Sequence, residues 1–154
     1  RKESLGRIKT LSSNFPEVSL FQTIPGMGIL TAAQFSAYLQ TPDRFATKSH
    51  LFGYGRLAVV DRSSAGTPIG RRRLSRRGLG VLKAATRRVF DSSLRKNKGK
   101  NTVAQYYFQL LARLNNHVHA RLTTQRRILE LVWTMWKRKE AFDPDRFLKN
   151  LQRV

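Results

Sequence analysis

Residues 61–100 read DRSSAGTPIGRRRLSRRGLGVLKAATRRVFDSSLRKNKGK, and the chain is organised around this stretch. It begins with a loop of small and hydroxyl-bearing residues, 63–70, and continues into a cluster of arginines. Residues 71–100 include twelve Lys or Arg and one acidic residue, Asp91. Guanidinium groups beside a hydroxyl-rich loop are suited to holding a phosphodiester. We therefore expect the rest of the chain to present this stretch to nucleic acid.

Composition supports one globular domain with a polyanionic partner. The chain has 154 residues, of which 40% are hydrophobic, and a net charge of +21. Such a surface repels itself, and DNA or RNA is the expected counterpart. An anionic membrane is the weaker alternative, because the charges cluster on a loop and one helix start rather than along an amphipathic face. No apolar run approaches the roughly 20 residues of a spanning helix. The absence of cysteine excludes disulfides and thiol catalysis.

A pair of short helices is predicted on the N-terminal side, at residues 17–23 and 29–39. The sequence Ile24-Pro25-Gly26-Met27-Gly28 joins them, as in a helix-hairpin-helix. Backbone amides at the start of the second helix, together with the helix dipole, suit a phosphate oxygen. The alternative is a helical corner without a ligand.

Apolar residues recur at a helical period from about residue 77 to residue 94, which places Lys83 and Arg87 on one face. This face, the hairpin and the arginines of the serine-bearing loop form the predicted nucleic-acid surface. Its residues are Gly26, Met27, Gly28, Arg62, Arg71, Arg72, Arg73, Arg76, Arg77, Lys83 and Arg87.

The predicted fold is mainly α, with short helices around the helix-hairpin-helix, a basic serine-bearing loop and two longer closing helices. Residues 57–60 are extended, and no true sheet is predicted. Residues 1–16 are interpreted as the end of an upstream helix and a linker, 17–145 as the domain, and 146–154 as a polar tail. The aromatic residues of the closing helices are expected in the core, with base stacking as the minor alternative: Tyr106, Tyr107, Trp133 and Trp136.

The acidic residues give no metal site by pattern. Nine are scattered along the chain, and none pairs at a spacing suited to two metal ions. His117 and His119 would point apart on a helix, so we predict that they are not ligands. A serine attacking phosphorus is the remaining chemistry, although a serine in a Gly/Pro loop is most often a turn residue.

Several motifs in order resemble the C-terminal transposase domain of the DEDD insertion-sequence transposases, the bridge-RNA-guided serine recombinases of bacteria and archaea. Residues 23–28 and 31–33 are similar to its PGIG and TAA motifs, and Asp43-Arg44-Phe45 to its D-x-x-RF turn. The matches continue through Leu51 and Tyr54, the Ser63-Ser64 loop, and Leu74-Ser75-Arg76-Arg77-Gly78. One departure is Ala65, where the family usually has glycine directly after the serine.

The resemblance implies that Ser64, or else Ser63, is the nucleophile that forms a covalent link to DNA. It also implies that Mg²⁺ is bound by a separate ribonuclease-H-like N-terminal domain, so that this fragment binds no cofactor and is inactive alone. The implied partners are DNA, a guide (bridge) RNA and further copies of the full-length enzyme, in the bacterial or archaeal cytoplasm at the nucleoid. The alternative is a non-catalytic helix-hairpin-helix module that binds DNA or structured RNA, with affinity independent of either serine.

Overall fold

The computed structural model describes residues 2–60, 63–64, 67–68 and 73–149. Its architecture is mainly α, as predicted. The helices are α1 (Lys2–Ser12), α2 (Pro16–Phe21), α3 (Ile29–Leu39), α4 (Lys48–Tyr54), α5 (Gly80–Arg95), α6 (Thr102–Leu114), α7 (His117–Arg138) and α8 (Pro144–Lys149). The strands are β1 (Val59–Val60), β2 (Ser63–Ser64), β3 (Thr67–Pro68) and β4 (Arg73–Leu74).

Polar side chains fix the start of three helices. Thr47, Asn101 and Asn116 each accept hydrogen bonds from amides in the first turn of α4, α6 and α7. These are the side chains that best satisfy the unpaired amides of a helix N-terminus. Asn115, in a left-handed conformation, ends α6 and allows α7 to begin two residues later. The helical hairpin of α6 and α7 is thus specified by adjacent asparagines.

Helix α7 is the centre of the packing. It contacts α2, α4, α5 and α6, and its inner face buries Ile128, Leu129 and Val132. Trp133 is also buried and its Nε1 donates to the carbonyl of Pro42, 2.7 Å away. The core around α7 is continuous across the helices and includes Phe21, Ile24, Phe35, Leu39, Leu51, Leu57, Leu82 and Leu110.

The pattern predicted α3 with the observed limits, and two other predictions are wrong in detail. Helix α2 has Phe15 at its N-cap position, with no side-chain hydrogen bond. Helix α5 begins at Gly80 rather than at residue 77, because Gly78 has a φ of +100°. Residues 146–149, expected to belong to a polar tail, lie in α8, which buries Phe147.

Short antiparallel pairs replace the single extended segment that the sequence predicted. Strand β1 pairs with β4, with Val59 opposite Leu74 and Val60 opposite Arg73. Strand β2 pairs with β3, with Ser64 opposite Thr67. The aromatic residues of the closing helices lie in or against the core, as predicted. Tyr106 and Trp133 are buried, while Tyr107 and Trp136 pack against the core.

Candidate nucleic-acid interface

The serine segment leaves and rejoins the helical core at one place. Val60, which precedes the segment, is paired with Arg73, which follows it. The pairing continues where the amide of Ser75 donates to the carbonyl of Ala58, 2.8 Å away. Both ends of the segment that contains Ser63 and Ser64 are therefore held side by side.

A basic cleft begins where β4 ends. It encloses about 610 Å³ between the segment after β4, the first two turns of α5 and the N-terminal part of α7. None of the described residues that line it is acidic. Its walls carry Arg56, Leu74, Ser75, Arg76, Gly80, Lys83, Ala84, Arg87, Arg121, Leu122 and Gln125.

Glycines bring two backbone segments together at the rim of this cleft. A Cβ on Gly78 would lie 2.2 Å from the carbonyl oxygen of Gly53, so only glycine fits. The amide of Leu79 donates to the carbonyl of Tyr54, 2.6 Å away. The start of α5 is thereby fixed against the end of α4, where Arg56 follows with a φ of 57°. A Cβ on Gly80 would lie 3.3 Å from Nη1 of Arg56, which places this guanidinium at the N-terminus of α5.

Asp91 does not line the cleft but binds Arg87, which does. The Nε of Arg87 donates to both carboxylate oxygens of Asp91, at 2.9 and 2.8 Å. The two residues are one helical turn apart on α5, and both side chains are partly exposed. A guanidinium bound at Nε keeps the N–H groups of its two terminal nitrogens. Asp91 therefore fixes the orientation of Arg87 without using all of its donors.

The opposite wall of the cleft, on α7, carries polar atoms without a partner among the described residues. Gln125 is 2% exposed, and its Oε1 accepts no hydrogen bond. The Nε of Arg121, one turn earlier, is also buried and donates none. Unsatisfied buried polar groups destabilise a fold, so native structures contain few of them. Of the unpaired buried polar atoms found among the described residues, those of Arg121 and Gln125 belong to residues that line the cleft.

The hairpin between α2 and α3 packs inward on one side. Gly26 has a φ of +87°, and a Cβ there would lie 2.3 Å from Oγ of Ser93 on α5. Ser93 donates from that oxygen to the carbonyl of Pro25, 2.7 Å away. The side chain of Met27 is buried, whereas Gly28 is exposed and borders open space. Any ligand of the hairpin meets the backbone at Gly28 and the start of α3, which has no side-chain cap.

The structure brings some of the predicted site residues together and separates others. Arg76, Lys83 and Arg87 lie together in the cleft, whereas Arg73 and Arg77 are exposed beside it. The backbone of Ser63 and Ser64 forms β2. The predicted contacts Arg62, Arg71 and Arg72 lie outside the described residues.

Sequence reasoning missed three residues of the cleft. Arg56 follows α4, and Arg121 and Gln125 lie on α7, so none is near the basic stretch in sequence. The four-residue spacing of Arg121 and Gln125 places them on one helical face. That spacing was the available signal, but the start of α7 was not predicted well enough to use it.

The described residues give no metal site and no membrane span. No three acidic or histidine side chains among them cluster as ligands, and His117 and His119 are exposed. None of the helices in these ranges is both long and apolar enough to cross a bilayer.

Comparison with known families identifies the family to which the chain belongs. A family model described as "Transposase IS116/IS110/IS902 family" matches residues 18–107. The match includes the hairpin, the serine segment and α5, and it ends before α7. No curated protein matches the chain. Because the matched region is more than half of the sequence, the chain belongs to the IS116/IS110/IS902 family of transposases.

Proposed function

We propose that this transposase domain cuts and rejoins DNA through Ser64, with Ser63 as the alternative nucleophile, while the basic cleft binds the DNA backbone. The observation that carries the proposal is the position of the cleft. It begins at Leu74, the last residue of β4, and the pairing of β4 with β1 holds both ends of the serine segment. A strand bound in the cleft is therefore close to the base of the segment that carries the serines.

The proposed reaction is a phosphoryl transfer. The Oγ of the serine attacks phosphorus, an O–P bond forms, and the bond from phosphorus to one DNA oxygen breaks. The hydroxyl proton passes to a base or to water, and the departing DNA oxygen takes up a proton. The phosphoserine ester conserves the bond for rejoining, when a DNA hydroxyl attacks the same phosphorus. Forked guanidinium groups stabilise the charge on the phosphoryl oxygens in the transition state.

The cleft supplies the charge that this reaction needs. One concave surface is lined by five cations: Arg56, Arg76, Lys83, Arg87 and Arg121. Contacts between such cations and phosphates make nucleic-acid binding steeply dependent on salt concentration. The described residues contain no cluster that fits Mg²⁺, so no step is assigned to a metal here. A separate metal-binding domain, a guide RNA and assembly into oligomers remain parts of the proposal that rest on the family resemblance.

The test is covalent trapping with the full-length enzyme. Ser64→Ala should abolish covalent protein–DNA adducts on denaturing gels and should keep DNA affinity, because alanine removes the nucleophile and no cation. Ser63→Ala is the matched control, one residue away in the same strand, and should keep its adducts. If Ser63→Ala alone abolishes them, Ser63 is the nucleophile. Adducts retained in both variants refute a serine nucleophile at this loop and leave the non-catalytic binding module.

A further inference from the structure

We propose that the first turn of α5 and the facing wall of α7 form a seat for a single nucleotide, which we call the nucleotide seat. Arg56, Lys83 and the first amides of α5 bind its phosphate, and Arg121 and Gln125 bind atoms next to that phosphate. The proposal rests on the proposed function in taking nucleic acid as the ligand. It does not depend on which residue is the nucleophile.

The charges at the start of α5 point to an anion. A helix N-terminus carries partial positive charge, which acidic side chains or caps usually compensate. Helix α5 has 16 residues, no acidic residue in its first turn and no side-chain cap at Leu79. It has Lys83 in that turn and the guanidinium of Arg56 beside Gly80. An anion between these groups would relieve repulsion that the protein alone leaves in place.

Gly80 keeps the seat open. Glycine at a helical position destabilises the helix relative to alanine, so its presence at the start of α5 suggests that a side chain would interfere. The nearest atom to a Cβ at this position is Nη1 of Arg56, at 3.3 Å. That distance is tight for a carbon, so the guanidinium would shift by a few tenths of an ångström, and the methyl group would occupy space between it and the first amides. Backbone approach to phosphate is a common use of glycine.

The wall of α7 indicates a nucleotide rather than a bare anion. Gln125 is almost fully buried and lines the cleft, and its Oε1 needs a donor. The Nε of Arg121 needs an acceptor. A phosphodiester offers acceptors only, whereas a nucleotide also offers N–H groups on its base and, in RNA, the 2′-hydroxyl. A nucleotide therefore satisfies both atoms at once.

The test compares Gly80→Ala with Gly53→Ala. Both replace a helical glycine by alanine, but a Cβ at Gly53 meets nothing within 4 Å. Binding is measured by fluorescence anisotropy on single-stranded DNA and RNA oligonucleotides of one sequence, across a NaCl series. For Gly80→Ala the Kd should rise about ten-fold and the salt slope should fall by about 1, as for the loss of one phosphate contact. Gly53→Ala should bind like the wild type.

A second variant separates binding from folding. Gln125→Met keeps the shape of the side chain and removes its polar end, so the free energy of unfolding should stay equal or rise. Its Kd should nevertheless increase several-fold. Weaker binding of the DNA or the RNA oligonucleotide supports the nucleotide seat and identifies which nucleic acid occupies it. Wild-type affinity of Gly80→Ala and Gln125→Met for both oligonucleotides overturns it. Adduct formation by Ser64→Ala decides the proposed function separately.

Discussion

The two glycines of the hairpin have different surroundings: Gly26 packs against the core and Gly28 is exposed. The sequence predicted that Gly26, Met27 and Gly28 would act together on a phosphate. In the structure Gly26 and Met27 face the core, and Gly26 is held against Ser93, whose hydroxyl donates to the carbonyl of Pro25, 68 residues away in the chain. No local pattern can predict a contact at that separation. Exposure leaves Gly28 as the residue of the three that can meet a ligand.

Gly26→Ala should therefore lower the free energy of unfolding by about 3 kcal/mol. The reasons are its left-handed backbone and the collision of a Cβ with Ser93. Gly28→Ala, two residues away in open space, should cost no more than about 1 kcal/mol through the weaker N-cap of α3. Urea unfolding followed by tryptophan fluorescence measures both. Equal losses in the two variants would contradict the inward packing of Gly26.

At the scale of helices, the strength of the local signal decided which elements were predictable. Helix α3 follows a glycine-rich turn and has a long apolar face, and its limits were predicted correctly. Helix α8 has six residues, four of which are charged or proline, and its residues 146–149 were predicted to belong to a polar tail. Its Phe147 is buried because it meets Tyr106, with ring centroids 5.0 Å apart, and the guanidinium of Arg127. Tertiary contacts, absent from the local pattern, determine this helix.

Phe147→Ala tests whether α8 belongs to the core. Truncation of a fully buried phenylalanine costs about 3–5 kcal/mol, and a loss of that size is expected in urea unfolding. Phe108→Ala is the matched control, because Phe108 on α6 is 51% exposed. It should change the free energy of unfolding by less than about 1 kcal/mol. A small effect of Phe147→Ala would show that α8 does not stabilise the domain in solution.

At the scale of the molecule, α7 separates two kinds of charge. Arg121, in its N-terminal part, lines the basic cleft. Glu130 lies further along and pairs with Lys48 and Arg127, and Glu140 pairs with Arg146 beyond the C-terminal end. The run of basic residues in the sequence predicted that Arg76, Lys83 and Arg87 belong to the nucleic-acid surface, and all three line the cleft. The fold alone adds Arg56 and Arg121, because Arg56 follows α4 and Arg121 lies on α7, both far from the basic run in sequence.

This charge distribution predicts that salt stabilises the free domain. With a net charge of +21, repulsion between cations is screened as NaCl rises from about 0.02 M to about 0.3 M. The Tm should rise by about 3 °C for each kcal/mol of repulsion removed. Differential scanning fluorimetry gives the Tm directly. Replacing the exposed lysines Lys96, Lys98 and Lys100 by glutamine should reduce this dependence, and a Tm that falls with salt would contradict it.

The pairing of Val60 with Arg73 also limits how far the serine hydroxyl proposed as the nucleophile can travel. Ser64 is four residues from Val60, so its Cα stays within about 14 Å of that anchor even when the intervening chain is fully extended. This radius is close to the width of one major groove, roughly 12 Å. If this serine is the nucleophile, it is unable to search along a duplex, and the scissile phosphate has to be delivered to it. Bending or unpairing of DNA at the target, rather than movement of the loop, would then set the rate of strand cleavage.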